Sequence, residues 1–217
     1  CLRPIPRGSL QKNQALYFGT ILSVLSVLTL YYFTNLLSAS LLLFTILFYV
    51  FVYTIWLKRK TPQNIVIGGA SGALPPVIGW TIATNSISIE PLTYFFIIFL
   101  WTPSHFWALS LYKVQDYKKA NIPMMPIANG IESTKKNILI YSLLMIPAVS
   151  LPYFVGFVGE VFLIATLTLT FYYNYLCYQL YSFKKNKFEI KKAQQIFGYS
   201  ILYLFLIFVL FLIDKLI

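Results

Sequence analysis

Charge is what this sequence has least of. Only 11% of its 217 residues are Asp, Glu, Lys or Arg, against about a quarter in a soluble domain, whose surface must face water. That scarcity excludes an ordinary soluble fold. Acids are scarcer still, at six, with one histidine and two cysteines. Cys1 stands at the terminus and Cys177 lies in an apolar run, so no disulfide framework is implied. The chain opens on Cys-Leu-Arg-Pro-Ile-Pro without Met or an apolar signal segment. That start reads as a fragment rather than a lipid-modified Cys1, because a basic cluster places this end inside.

What is present is grease. Apolar residues make up 59% of the chain and the mean hydropathy is +0.73. A helix needs roughly 20 mostly apolar residues to cross the hydrocarbon core. Seven such runs occur, at 14–33, 39–57, 64–84, 91–112, 136–157, 159–181 and 194–214. Backbone polar groups in lipid must be satisfied internally, which leaves helices or closed barrels. These runs are too long and too uniformly apolar for barrel strands. The expected fold is therefore all-α, a polytopic bundle of about seven transmembrane helices in one domain spanning 1–217.

The net charge of +11 does not point to nucleic acid, because of where it sits. Arg3, Arg7 and Lys12 precede the first run, and Lys58, Arg59 and Lys60 follow the second. Lys113, Lys118, Lys119, Lys135 and Lys136 follow the fourth. Lys184, Lys185, Lys187, Lys191 and Lys192 follow the sixth. All but Lys215 of the 17 basic residues thus lie on one face. Such bias marks the cytoplasmic side, or its organellar equivalent. Topology and contact with anionic lipid of the bilayer account for most of these side chains. The 113–135 loop is the place to expect chemistry, since loops on a rigid scaffold carry function. The lysines of 184–192 read as a solvated tether without a site.

Gly68-Gly69-Ala70-Ser71-Gly72-Ala73 places small residues four apart inside the third run, a spacing that lets helices approach closely. Pro75 and Pro76 follow and must bend or break the helix. Tight packing at a kink explains the segment, and the same kink can shape a cavity wall. His105 lies within the fourth run. A buried ionisable group in lipid is a functional candidate, although a hydrogen bond to a neighbouring helix explains it as well. Eleven residues separate His105 from Asp116, about 20° off three full turns, so they share a face about 16 Å apart if the helix continues. In that arrangement they meet opposite ends of a long ligand. Asp116, ringed by Lys58, Arg59, Lys118 and Lys119, suits Mg²⁺ bound together with a diphosphate. A simple surface ion pair is the plainer alternative.

Several segments together carry a resemblance. They are Arg3-Pro4-Ile5-Pro6-Arg7-Gly8, Tyr53-Thr54 through Leu57-Lys58-Arg59-Lys60-Thr61-Pro62-Gln63-Asn64, and Pro75-Pro76 with Gly79-Trp80. His105-Phe106-Trp107-Ala108-Leu109 and Asp116-Tyr117 with Pro123-Met124-Met125-Pro126 complete the set. In this order they resemble the UbiA superfamily of intramembrane prenyltransferases, and within it the branch that farnesylates haem. Ser104 departs from that branch, which commonly has a second proline there. The resemblance implies transfer of a farnesyl group from farnesyl diphosphate to a vinyl group of protohaem IX, on the route to haem A and cytochrome oxidase. It implies Mg²⁺ at Asp116 and catalytic roles for Asp116 and His105. Substrate contacts would fall to Arg3, Arg7, Tyr53, Lys58, Arg59, Asn64, Tyr117 and Lys118. Aromatic faces such as Trp101, Trp107 and Tyr112 would shield an allylic cation, although packing is the commoner use of such residues.

The same resemblance implies the bacterial inner membrane, or the mitochondrial one, and an association with haem A synthase. Relatives of this type have about nine spans, with an Asp-rich motif after the second. The expectation is that two helices and that motif are missing here, and that residues 1–217 alone are inactive. Three other readings compete. One is a prenyltransferase for a quinone-precursor aromatic, against which the lack of a second acid after Asp116 argues. Another is a transporter, against which stand the lack of an inverted repeat and of midplane charge. A non-catalytic assembly factor would need none of this placement of acid and cations.

Overall fold

The computed structural model describes residues 4–182 and 188–216. Every regular element among them is helical: α1 (Pro4–Arg7), α2 (Lys12–Phe33), α3 (Leu36–Leu47), a π-helix (Phe48–Leu57), α4 (Asn64–Ala73) and α5 (Pro75–Thr84). They continue as α6 (Ile89–Tyr112), α7 (Val114–Lys119), α8 (Met125–Ala128), α9 (Ile131–Phe154), α10 (Glu160–Ser182) and α11 (Phe188–Asp214). Seven spans result, with α3 running on into the π-helix and α4 into α5. They match the seven apolar runs closely. The protein is an integral, multi-pass membrane protein.

The third span breaks where its prolines demand. Pro75 and Pro76 occupy the first turn of α5, where their missing N–H groups cost nothing. Leu74 joins the two halves in helical conformation. The π-helix was not foreseen. Its wider turn shows in the Lys58 N–H, which donates to the Tyr53 carbonyl five residues back at 2.8 Å, and in Thr54 Oγ1, which donates to Tyr49 at 2.9 Å.

The core is the four-helix group α6, α9, α10 and α11, where Ile97, Trp107, Met145, Tyr173, Leu180 and Ile207 are buried. Short polar contacts lace it together. Tyr173 donates to Ser104 Oγ at 2.8 Å, Thr170 and Tyr203 share a 2.8 Å bond, and Trp101 Nε1 donates to the Ser200 carbonyl at 2.9 Å. Cross-chain contacts fix which ends share a face. On the side with few cations, Asn35 Nδ2 donates to the Thr81 carbonyl and the Gly159 N–H donates to Asp214. On the basic side, Lys135 lies 2.9 Å from Glu132 and 3.0 Å from Glu189. That last contact corrects a sequence expectation. Lys135 is not a solvated topology charge; its side chain is fully buried between the starts of α9 and α11.

Candidate functional site

Two small residues of α4 let the site form. A Cβ added to Gly68 would overlap the Tyr53 ring, and one added to Gly69 would come within 3.1 Å of the Thr102 side chain. Glycine therefore permits close approach of the π-helix on one side and of α6 on the other. Beside that contact a cavity of about 570 Å³ lies between α2, α3, the π-helix, α4 and α6. Tyr49, Val50, Tyr53, Ile65, Ile98, Trp101 and Phe106 give it an apolar wall, and Gly72 and Thr45 border it too. The small-residue segment thus packs tightly and shapes a cavity wall at once.

Polar groups gather at the basic end of this cavity. Lys58 Nζ sits 5.8 Å from the centre of the Tyr53 ring, a distance at which a cation is held by an aromatic face. Asn64 is 1% exposed and donates through Nδ2 to the Lys58 carbonyl at 3.2 Å. Its Oδ1 is buried with no hydrogen-bond partner. Such an acceptor is costly to leave unmet, so it marks a place where a ligand donor would be welcome. Nearby, a second cavity of about 410 Å³ is lined by Arg59, Tyr117, Lys118, Asn121, Ile122, Pro123 and Ile127. Its loop is anchored by the buried Met124, Met125 and Pro126. Asn121, at φ 51°, makes the left-handed turn that folds the loop back.

Of the residues expected from sequence, Tyr53 lines the larger cavity, with Lys58 beside its ring and Asn64 bonded to the Lys58 carbonyl, both outside the lining. Arg59, Tyr117 and Lys118 line the smaller one. Arg7 is exposed at the end of α1, and Arg3 lies outside the described residues. Tyr49, Thr102 and Asn121 had no expected role; aromatic and small polar residues are too common here for spacing to single them out.

Two expectations fail. α6 ends at Tyr112, and Lys113, at φ −111° and ψ 19°, turns the chain before α7 begins. The shared helical face of His105 and Asp116 therefore does not exist. Nor is Asp116 ringed by the four expected cations. Its side chain is 69% exposed, and its ion pair among the described residues is with Lys113, at 3.6 Å. Neither cavity has a carboxylate in its lining. Among the described residues no three His, Cys, Asp or Glu side chains converge as a metal cluster. Asp116 thus lies outside both cavity linings, and the described residues form no ready-made Mg²⁺ site there.

His105 packs toward α11. Its ring is stacked between Trp101 at 4.3 Å and Phe197 at 4.5 Å, and Nδ1 lies 2.7 Å from Ser200 Oγ. The Ser200 hydroxyl also lies 2.7 Å from the Phe197 carbonyl. With the Ser200 proton on Phe197, Nδ1–H donates to Ser200 and Nε2 is left unbonded among the described residues; with it on Nδ1, the roles reverse.

Comparison with known proteins agrees with this architecture. The profile of the UbiA prenyltransferase family matches residues 1–202. A protoheme IX farnesyltransferase of Pelagibacter ubique is 76% identical over 215 residues, 99% of this chain and 71% of that protein. The protoheme IX farnesyltransferase of Parvibaculum lavamentivorans is 50% identical over 213 residues, 98% of this chain and 67% of that protein. A solved structure of a digeranylgeranylglyceryl phosphate synthase superposes with a TM-score of 0.75 at 18% identity, covering 98% of this chain and 73% of that one; it supports the fold alone. An apolar intramembrane cavity with a cationic mouth, on a chain matched almost end to end, makes this protein a member of the UbiA prenyltransferase family.

Proposed function

We propose that this prenyltransferase moves a farnesyl group from farnesyl diphosphate to a vinyl group of protohaem IX, giving the hydroxyethylfarnesyl side chain of haem O. The observation that carries this reading is the 570 Å³ apolar cavity opening beside Lys58, Tyr53 and Asn64. The prenyl chain lies in the cavity and the diphosphate at its mouth. The allylic C–O bond breaks and its electron pair leaves with the diphosphate, where the cations offset the growing charge. The vinyl terminal carbon forms the new C–C bond. The cation left beside the porphyrin takes the oxygen of water, which releases a proton. Low water content around the apolar wall keeps the allylic cation from premature capture.

Mg²⁺ belongs to this proposal as a charge-neutralising partner of the diphosphate, with Asp116 as its protein carboxylate. Arg3, Arg7, Lys58, Arg59, Asn64, Tyr117 and Lys118 are proposed to hold the anionic parts of the substrates, and Tyr53 the first carbons of the chain. His105 is proposed to orient or ligate the haem acceptor. The basic face is assigned to the cytoplasm or the mitochondrial matrix, with haem A synthase as receiver of the product. The domain assignment, one transmembrane prenyltransferase unit over 1–217, rests on the family match.

In an otherwise complete enzyme, Asp116→Asn should abolish haem O formation while the protein stays folded in the membrane. Wild-type turnover at saturating Mg²⁺ would remove Asp116 from the metal. His105→Ala should impair haem farnesylation more than farnesyl diphosphate binding; the reverse order would sink its acceptor role. Cysteines placed in the 113–135 loop should resist an impermeant thiol reagent in intact cells. Labelling without permeabilisation would invert the topology.

A further inference from the structure

The large cavity is built in storeys one helical turn apart, and contacts fix their register. Gly68 lies against Tyr53 and Gly69 against Thr102, so these residues share a level. α4 runs inward from the basic face while α6 runs toward it. Ile65 and Phe106 therefore lie one turn nearer the mouth, and Gly72 and Ile98 one turn deeper. All four line the cavity. Thr45, two turns before Tyr53, borders its far end. A helical turn rises about 5.4 Å, close to the length of one isoprene unit. Between the mouth and Thr45 there are three such storeys, and a farnesyl chain has three such units.

The two glycines at this wall differ. Gly68 is closed off by Tyr53, whereas a Cβ at Gly72 meets nothing within 4 Å. A side chain at position 72 would grow into the cavity where the third unit lies. We propose that Gly72, by keeping the third storey empty above the Thr45 floor, sets the prenyl donor length at three isoprene units. This rests on the prenyl-transfer reading above and adds to it a determinant of chain length.

The test is a graded series, Gly72→Ala, Gly72→Val and Gly72→Leu, with Gly79→Leu as a control at an equally open glycine outside the cavity lining. Membranes expressing each variant are assayed with geranyl, farnesyl and geranylgeranyl diphosphate at saturating haem. The ratio of kcat/KM for geranyl over farnesyl diphosphate should climb with side-chain size, by about tenfold or more at leucine, and stay near wild type in the control. KM for haem should not change. If Leu prevents folding, the Ala and Val members carry the trend. A ratio that stays flat across the folded variants, or equal losses with all three donors, would overturn the ruler. Equal use of farnesyl and geranylgeranyl diphosphate by wild type would do the same. The series is made in an otherwise complete enzyme; if that enzyme prenylates haem with none of the donors, the functional reading falls first and takes the ruler with it.

Discussion

The first two spans and the last four-helix group are made from nearly the same residues yet live in different surroundings. α2 buries none of its 22 residues, and its main neighbour is α3. In α6, 44% of the most apolar stretch is buried within the protein. Within the group α11 is more hydrophobic than the exposed α3 and π-helix, whereas α6 and α10 are less so. In water that order would be perverse. In lipid it is sensible, because tails solvate leucine as well as a protein core does, so association depends on small residues and interhelical hydrogen bonds. Ser104, Ser110, Thr166 and Thr170 are among the interior residues here, while Leu16, Phe18, Ile21 and Leu25 face outward.

Changes that strike one region and spare the other sharpen this contrast. The largest effect is expected at Lys135. Lys135→Met strands Glu189, whose side chain is 14% exposed, and breaking a buried pair costs about 3–5 kcal/mol. A large drop in the detergent melting temperature should show it; a shift within error would mean that the pair is solvated. Next comes Gly68→Ala, whose Cβ overlaps the Tyr53 ring. Overpacking of this kind costs about 1–3 kcal/mol, and turnover should fall as well because Tyr53 must leave the cavity mouth. Truncating the ring in a Gly68→Ala, Tyr53→Val double variant should recover stability but not activity. Tyr173→Phe removes one buried hydrogen bond to Ser104 and should cost about 0.6–1.7 kcal/mol, the span from the average to the largest value for such bonds in a membrane protein. Activity should be unchanged. The smallest effect belongs to α2, where Leu22→Ala, at an exposed position, should shift stability by less than about 0.5 kcal/mol. A larger loss would show that α2 packs against something other than lipid.

Hydropathy located the spans because length and apolar content are local properties. The first span was read as 14–33 and runs Lys12–Phe33; the fourth was read as 91–112 and runs Ile89–Tyr112. The π-helix stayed hidden because Phe48–Leu57 is equally apolar whether its hydrogen bonds reach four residues or five. The end of the fourth run at 112 was legible, but whether the helix continued to Asp116 was not, since neither proline nor glycine marks Lys113. Lys135 looked like any loop cation because Glu189, which buries it, lies far along the chain. In the site, the glycine-to-tyrosine contact was half legible. The small residues were visible as a pattern, but which aromatic filled the space depended on the unforeseen π-helix. His105 could be named as unusual; that α11 holds it could not be known from its own span.

The His105–Ser200 bond has a consequence for how the molecule is made. The two residues are 95 positions apart, and chains grow at about 5–20 residues per second. For a time on the order of ten seconds during translation, the fourth span sits in the bilayer before the helix that meets its imidazole has been synthesised. Tyr173 reaches Ser104 sooner, 69 positions on. Until α11 is made, the imidazole therefore lacks its Ser200 partner, while the partner of Ser104 is already in the chain. A membrane chaperone that shelters polar helices would find its client in that interval.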